Sequence, residues 1–585
     1  MSDFVIWLSP LPIPRVLRRR WSWPHSQNVA LRRERFRELG HRSDEGSELV
    51  FVGHCRGQRP HRRFIPAESL VTELEKSLDE RGPQALDDFL GPLAGAHVYD
   101  GGKRALIWRD RFGRHPLQMI RLSIGWAITT CPEVTARLSR GVPRWSNATN
   151  FVHGAHSTSD ADVFTDVFRV RPGEVVCFQD RKIDRRFQWW TPRQYSSPDP
   201  EGEMRSMLHD MGSLYGRRPH LLALSAGLDS ATLAAFISRR HPCSEAFTFA
   251  DPRSSHDESD PALQIARHLQ LRWSAYSISD HWPLSRLPDH RFPVAWGPPS
   301  HPDSAWKFPC YRRLDHRRPS FPLMYGNGAD EVLWFPPRLW LESRWYRRDW
   351  HTLLEASRHL PLSRWLRAGA GSFIDGAGLR FLVDMLPRDN DDPLWERPQH
   401  WIGEPDAAST APRKLSPHQR FVDLRLQRLS AWRWERVVRF LAFESRQTNR
   451  PLWTPFLDAQ FWELSLSLSP EDLVEGGRQK AILRRITARL LPEDCRKRPK
   501  FGGFDDIVER GLADEASRRV YGLFARPALE EWSTFRPARF LEAYEAYRRA
   551  GQLTAGHKRG SWAIWRTIAT ELWLRHRHQR SPLPY

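Results

Sequence analysis

Through residues 1–192 apolar residues come in short runs separated by turn-forming clusters. SELVFVGHC (47–55), GAHVYD (95–100), RALIWRD (104–110), GWAITT (125–130) and GEVVCFQD (173–180) have the length and make-up of strands, and the opening MSDFVIWLSP adds another. Between them ESLVTELEKSLDERG (68–82) has the spacing of a helix. The pattern predicts a layered β or α+β domain. SSPDPEGE (196–203) is polar and rich in proline and glycine, which predicts a linker and places the domains at 1–195 and 204–585.

Beyond the linker the period changes. MRSMLHDMGSLYG (204–216), ATLAAFISRR (231–240) and ESDPALQIARHLQ (258–270) carry helical spacing, while LLAL (221–224), EAFTFAD (245–251) and FPLMYGNG (321–328) read as buried strands. Alternation of strand and helix predicts a doubly wound parallel sheet. After about residue 335 the pattern is largely helical, except for 389–417, which has no period and is predicted to be a long loop.

Composition narrows this picture. A chain of 585 residues exceeds a single core, and 40% hydrophobic residues make it globular. No apolar run approaches the ~20 residues of a membrane helix. The basic residues of the N-terminus follow its apolar run, the reverse of a signal peptide, so a cytoplasmic protein is expected. The six cysteines form no C-x-x-C pair, which points away from a zinc site or a disulfide framework. A net charge of +20 alone would suggest a nucleic-acid partner. Yet only nine of the 89 basic residues are lysine, and the arginines run the whole length of the chain. That is an arginine bias, and nucleic acid is not expected as a partner. It also makes each retained lysine informative, because arginine is not its equivalent.

The candidate chemistry begins at LLALSAGLDSATLAAFISRR (221–240), an apolar strand, a loop of small residues and a helix. Small residues let backbone N–H groups approach phosphate oxygens, and the following helix adds the positive end of its dipole. Ser225 and Ser230 can donate hydroxyls. Asp229 would repel a phosphate unless a cation lay between them, which implies Mg²⁺.

Ser225-Ala226-Gly227-Leu228-Asp229-Ser230 resembles the S-G-G-x-D-S loop of the N-type ATP pyrophosphatases. Ala226 replaces the first glycine, a change worth about 1 kcal/mol if that position needs a positive φ. Tyr325-Gly326-Asn327-Gly328-Ala329-Asp330-Glu331 resembles the G-E-G-x-D-E loop of asparagine synthetases. Pro455-Phe456-Leu457-Asp458 matches their P-F-L-D, Lys480 to Arg484 their K-x-x-L-R, and Lys500 in RKRPKFGGF their R-x-K-x-x-F. WRDRFGRHPLQM (108–119) and VRPGEVVCF (170–178) are similar to that family's N-terminal segments. The resemblance to the asparagine-synthetase family covers most of the chain. It implies an α/β and α+β multidomain protein: a degenerate Ntn-glutaminase-like layered β domain, then a doubly wound parallel-sheet ATP pyrophosphatase domain with a largely helical C-terminal part.

By the same resemblance, Leu224, Phe249, Tyr325 and Gly326 surround the adenine of ATP. Ser225, Gly227 and Ser230 hold pyrophosphate, and Asp229 and Asp330 hold Mg²⁺. Lys500 and Asn327 are the candidate catalytic residues, with Lys480 and Lys497 as alternatives for the cation. Two departures redirect the function. Glutamine-dependent members need an N-terminal cysteine nucleophile, but position 2 is serine and no cysteine precedes Cys55. Asn327 stands where asparagine synthetases carry a glutamate, and an amide is no base. Activation without ammonia generation resembles the lasso-peptide macrolactam synthetases. In these a peptide Asp or Glu side chain is adenylated and the peptide's own N-terminal amine closes the ring, releasing AMP and pyrophosphate. The implied partners are a precursor peptide and a leader-peptide protease, and the 27 tryptophans and long irregular segments are read as lining a broad peptide cleft. A β-lactam or carbapenam synthetase, with tyrosine at Asn327's position, and an ammonia-dependent asparagine synthetase are the alternatives within the family. A tRNA-modifying ATP pyrophosphatase is the alternative outside it.

Overall fold

The computed structural model describes residues 3–578 apart from 12, 15–16, 18–20, 23–28, 33–38, 45–46, 54, 58–63, 66, 155–160, 215–218, 255, 286–291, 300, 318–320, 337–338, 341–342, 345–346, 352–396, 403–416, 431, 449, 477, 499–503 and 551–560. The N-terminal half holds two larger antiparallel sheets. One runs Val167–Arg169, Gln118–Arg121, Trp126–Thr129, Asp3–Leu8, Val29–Arg32. The other runs Lys182–Gln188, Glu174–Gln179, Arg104–Trp108, Leu93–Tyr99, Ser47–Gly53, Leu39–Asp44.

The first strand shows how they stack. Side chains alternate along a strand, so Phe4, Ile6 and Leu8 enter a core shared with Val50, Val52 and Ala96 of the second sheet. Val5 and Trp7 face the other way, into a core that continues through the rest of the molecule as far as Leu574. With both faces covered, DFVIWL is apolar almost throughout. The second sheet's other face is covered by the helix Ala67–Arg81, whose Leu70, Leu74 and Leu78 meet Leu49, Phe51 and Trp108.

The C-terminal half holds a five-stranded, wholly parallel sheet, ordered Arg272–Ser277, Glu245–Ala250, Leu221–Ala223, Leu323–Met324, Leu452–Trp453. In chain order this is 3-2-1-4-5. The direction of winding reverses between the first and fourth strands, the position at which such sheets bind ligands. The described residues after 335 are largely helical, as the pattern predicts.

Several expectations shift. The predicted linker 196–203 ends early, because the helix begins at Pro200 and runs to Leu214. Asp199 caps it by accepting a hydrogen bond from Gly202 N at 2.9 Å, with proline at the first helical position. In FPLMYGNG only Leu323–Met324 pairs as strand. Of the predicted loop 389–417, the described stretch 397–402 includes a helical turn, Gln399–Ile402, fixed by the buried Trp401 and Ile402. Residues 389–396 and 403–416 of that loop lie outside the described residues. No helix among the described residues is long and apolar enough to cross a membrane. Cys131, Cys177, Cys243, Cys310 and Cys495 are free thiols.

The halves are joined by charge as well as by apolar packing. On the helix Trp432–Thr448, Glu435, Arg439 and Arg446 lie on the side toward the N-terminal half. Glu435 accepts from Arg109 Nη1 at 2.7 Å, and Arg446 reaches Asp3 at 2.9 Å. Burial raises the Glu435 carboxyl, but Arg109, Arg439 and Arg169 outweigh this and hold it at about 2.

Candidate active site

The first parallel strand delivers the chain to the reversal point. Leu224 continues its direction, donating to Phe247 O at 2.9 Å and accepting from Thr248 Oγ1 at 2.7 Å. The chain then turns through Ser225–Gly227 into the helix Leu228–Arg240. The loop's own serines satisfy its amides: Ser230 Oγ accepts from Ser225 N at 3.1 Å, Ser225 Oγ accepts from Gly227 N at 3.1 Å, and the two hydroxyls are 2.9 Å apart. Ala226 does not have a positive φ, so alanine in place of glycine carries no backbone strain. Asp229 occupies the helix's first turn.

The fourth strand brings a second loop against the first. A Cβ at Gly326 would stand 3.1 Å from Ser230 N and 3.2 Å from Asp229 Cβ, so a bare glycine is what lets the loops meet. Gly328 has φ +105°, and a side chain there would strike Leu457. Its N–H donates to Glu331 at 3.0 Å, which closes the first turn of the helix Ala329–Leu333 and sets Asp330 on it. The Pro455–Asp458 element supports this from below. Phe456 is fully buried, and Asp458 caps the next helix by accepting from Gln460 N and Phe461 N.

Between the loops lies a cavity of about 400 Å³. Its wall brings together ten residues singled out in the sequence: Leu224, Ser225, Gly227, Asp229, Ser230, Phe249, Tyr325, Gly326, Asn327 and Asp330. Asn327 is exposed on that wall. Lys497 is not on it; this lysine lies at the surface, paired with Glu493. Lys500 and Ser2 lie outside the described residues. Among the described residues no tryptophan-lined cleft is seen: Trp334 alone of the described tryptophans lines the cavity, while Trp108, Trp306, Trp401 and Trp462 are core.

Lys480 also lines the cavity and sits between the two acidic residues. Its Nζ is 2.6 and 2.5 Å from the carboxylate oxygens of Asp229 and 2.5 Å from Asp330 Oδ1. Burial pulls the ammonium down, but the two carboxylates outweigh it and hold it above the ordinary lysine range. The described residues contain no group of three or more His, Cys, Asp or Glu placed to hold a metal. Mg²⁺ needs no such group where substrate phosphates supply the other ligands, since one or two carboxylates suffice. A pair of carboxylates already gathered around one cation fits that donor set.

A second buried cluster was not foreseen. Lys307 Nζ lies 2.9 Å from Glu444 and 3.2 Å from Asp303, and 5.5 Å from the centre of the Tyr325 ring. Tyr311 donates to the same Glu444 at 2.8 Å and meets the Tyr325 hydroxyl. Burial alone would lower Lys307, but Glu444 and Asp303 keep it protonated well above its usual range. The scarcity of lysine was the one available signal: Lys307 and Lys480 both face this cavity.

The family model described as asparagine synthase matches residues 213–575, well over half the chain. No curated protein matches. Among solved structures, glutamine phosphoribosylpyrophosphate amidotransferase from B. subtilis, complexed with ADP and GMP, aligns at 10% identity with a TM-score of 0.20. The alignment covers 47% of this chain and 59% of that one, so it spans less than two thirds of the relative. A structure titled as the allosteric regulatory enzyme of purine biosynthesis aligns at 10% identity and TM-score 0.21, over 47% of this chain and 74% of that one. Scores this low carry no argument about the fold.

Proposed function

Because the chain belongs to the asparagine synthase family of ATP-dependent carbon–nitrogen ligases, we propose that it adenylates an Asp or Glu side chain of a peptide, on which the same peptide's N-terminal amine closes a macrolactam. The observation that carries this reading is Asn327, an exposed amide on the cavity wall beside Gly326, in a loop that in asparagine synthetases offers a carboxylate. An amide orients an incoming carboxylate or amine but takes no proton from ammonia. The cavity keeps the residues of activation and changes the one facing the nitrogen donor.

In this reading the substrate carboxylate attacks the α-phosphorus of ATP, and the bond to pyrophosphate breaks. Ser225, Gly227 and Ser230 hold the departing phosphates, and Asp229 and Asp330 hold Mg²⁺. When bound, the metal neutralises charge on the leaving group. Leu224, Phe249 and Tyr325 offer apolar surface to the adenine. Lys500 stabilises charge on the α-phosphate and then on the oxyanion formed as the amine attacks. AMP leaves, and the peptide has lost one water. The partners are a precursor peptide and the protease that removes its leader.

The test is incubation of the protein with ATP, Mg²⁺ and the leaderless form of a short precursor peptide encoded beside its gene, followed by mass spectrometry. A product lighter by one water, with AMP released, is expected. Asparagine formed from aspartate and ammonia, with the peptide unchanged, would replace this reading with the ammonia-dependent one.

A further inference from the structure

Asp229 and Asp330 come from different loops, each on the first turn of its own helix, and converge on one point. Two carboxylates so close repel each other unless a cation stands between them. The cation present is Lys480, whose side chain is only 7% exposed. It contacts both oxygens of Asp229 and one of Asp330. Its backbone is unusual too. Lys480 has φ 60° and ψ 44°, a left-handed conformation that lysine adopts at a cost. Strain of this kind persists where the surroundings fix the residue, and it collects at functional sites. Here it turns the chain at the start of the helix Ala481–Ile486, and from that turn the ammonium reaches the two carboxylates.

We infer that Lys480 is the resident counter-ion of the metal site: without nucleotide its ammonium holds Asp229 and Asp330 together, and a divalent cation enters only with the ATP phosphates, displacing it. Mg²⁺ binds oxygens at about 2.0–2.1 Å, and an ammonium already bonded to the same oxygens excludes it. A free metal ion would have to leave its own hydration shell and evict a buried cation that then had no partner. The ATP phosphates change that balance, because they supply the metal's remaining ligands and give the ammonium an anion to move to. A flexible four-carbon stem with a point charge suits this exchange, whereas a planar guanidinium does not. In a chain with nine lysines among 89 basic residues, that accounts for lysine here.

The inference rests on the reading that the cavity takes ATP with a divalent cation, and the experiment separates the two. Mn²⁺ binding is followed by the EPR signal of the free ion, with and without the non-hydrolysable α,β-methylene analogue of ATP. Wild-type protein is expected to bind Mn²⁺ weakly alone and strongly with the analogue. Lys480→Met, with Lys480→Gln as a second variant should the first not fold, is expected to bind Mn²⁺ alone tighter by about tenfold or more, the scale on which groups beside a ligand tune affinity. Adding Asp330→Asn should remove that gain, which would place it at this site. Nucleotide-free wild type binding Mn²⁺ as tightly as the variants would overturn the counter-ion role. So would variants that gain nothing. Wild type that fails to bind Mn²⁺ even with the analogue would overturn the ATP reading, and this inference with it.

Discussion

Arg439, on a helix of the C-terminal half, donates to Asp162 of the N-terminal half with Nη2 2.6 Å from Oδ2, and neither side chain is more than 1% exposed. A second nitrogen, Nη1, bonds Asp162 Oδ1 at 2.9 Å, and Nε bonds Glu435 at 2.8 Å. Buried this deeply, the pair is worth little against an apolar replacement of both partners, but losing one strands the other's charge. Asp162→Ala is therefore expected to cost about 3–5 kcal/mol. The double variant with Arg439→Met should cost clearly less than the sum of the singles. Urea unfolding of the four proteins measures this, and strict additivity would contradict it.

Asp229→Ala and Asp330→Ala each remove one of the two cavity carboxylates that Lys480 contacts. Each is expected to lower substrate-dependent ATP–pyrophosphate exchange by about a hundredfold or more, since on the proposed reading Mg²⁺ would lose an anionic ligand. Circular dichroism should be unchanged, because the side chains are 20% and 42% exposed. Wild-type exchange in either variant would move the site elsewhere.

Lys500 carries a prediction from the sequence alone. A compact ammonium meets a developing oxyanion as a point charge, and a guanidinium is too wide and planar to stand in for it. Lys500→Arg is expected to be nearly as damaging as Lys500→Ala, each losing ~3–4 kcal/mol of transition-state stabilisation. ATP binding should change less, because the charge it meets develops mainly in the transition state. Ring closure at near wild-type rate in Lys500→Arg would remove it as an oxyanion contact.

His220 gives the protein an acid limit. It is fully buried against His241 and Trp453, and burial, with His241 adding to it, lowers its imidazole to about 3. A histidine with a lowered folded pKa destabilises the fold once the unfolded chain begins to protonate. The contribution is intact above about pH 6.5 and falls away below it. By about pH 4.5 the loss should reach about 3 kcal/mol. His220→Phe should flatten this limb of the stability–pH curve, and an unchanged limb would assign it to other groups.

The cavity was legible in the sequence where its residues are neighbours along the chain. Ser225 to Ser230 and Tyr325 to Asp330 are each a single turn after a strand, so type and spacing encode the geometry. Lys307, Tyr311, Tyr325 and Glu444 come from three distant segments, and nothing local distinguishes a buried lysine or glutamate from a solvated one. The same holds for Asp162, Glu435 and Arg439. The strand Leu452–Trp453 pairs through two residues, too few for any period. The early start of the helix at Pro200 was legible in principle. Asp followed by Pro is a helix-start signal, but a segment rich in proline and glycine equally has the composition of a break.

The core that joins the outer face of the first strand to Leu574 sets an order in time. Val5 and Trp7 lie in it with Trp573 and Leu574, and Phe164 meets the Trp573 ring at 5.8 Å. A ribosome adding about 5–20 residues per second takes on the order of a minute to make a chain of this length. Early helices such as Pro132–Leu138 join that core at once, but the part of it contributed by the C-terminal helices stays open until they are synthesised. The ion-pair partners of the N-terminal half on the helix Trp432–Thr448, Glu435, Arg439 and Arg446, also emerge only in the last third of translation. The N-terminal half is thus the first part made and among the last to be sealed, and its dependence on chaperones should peak just before release.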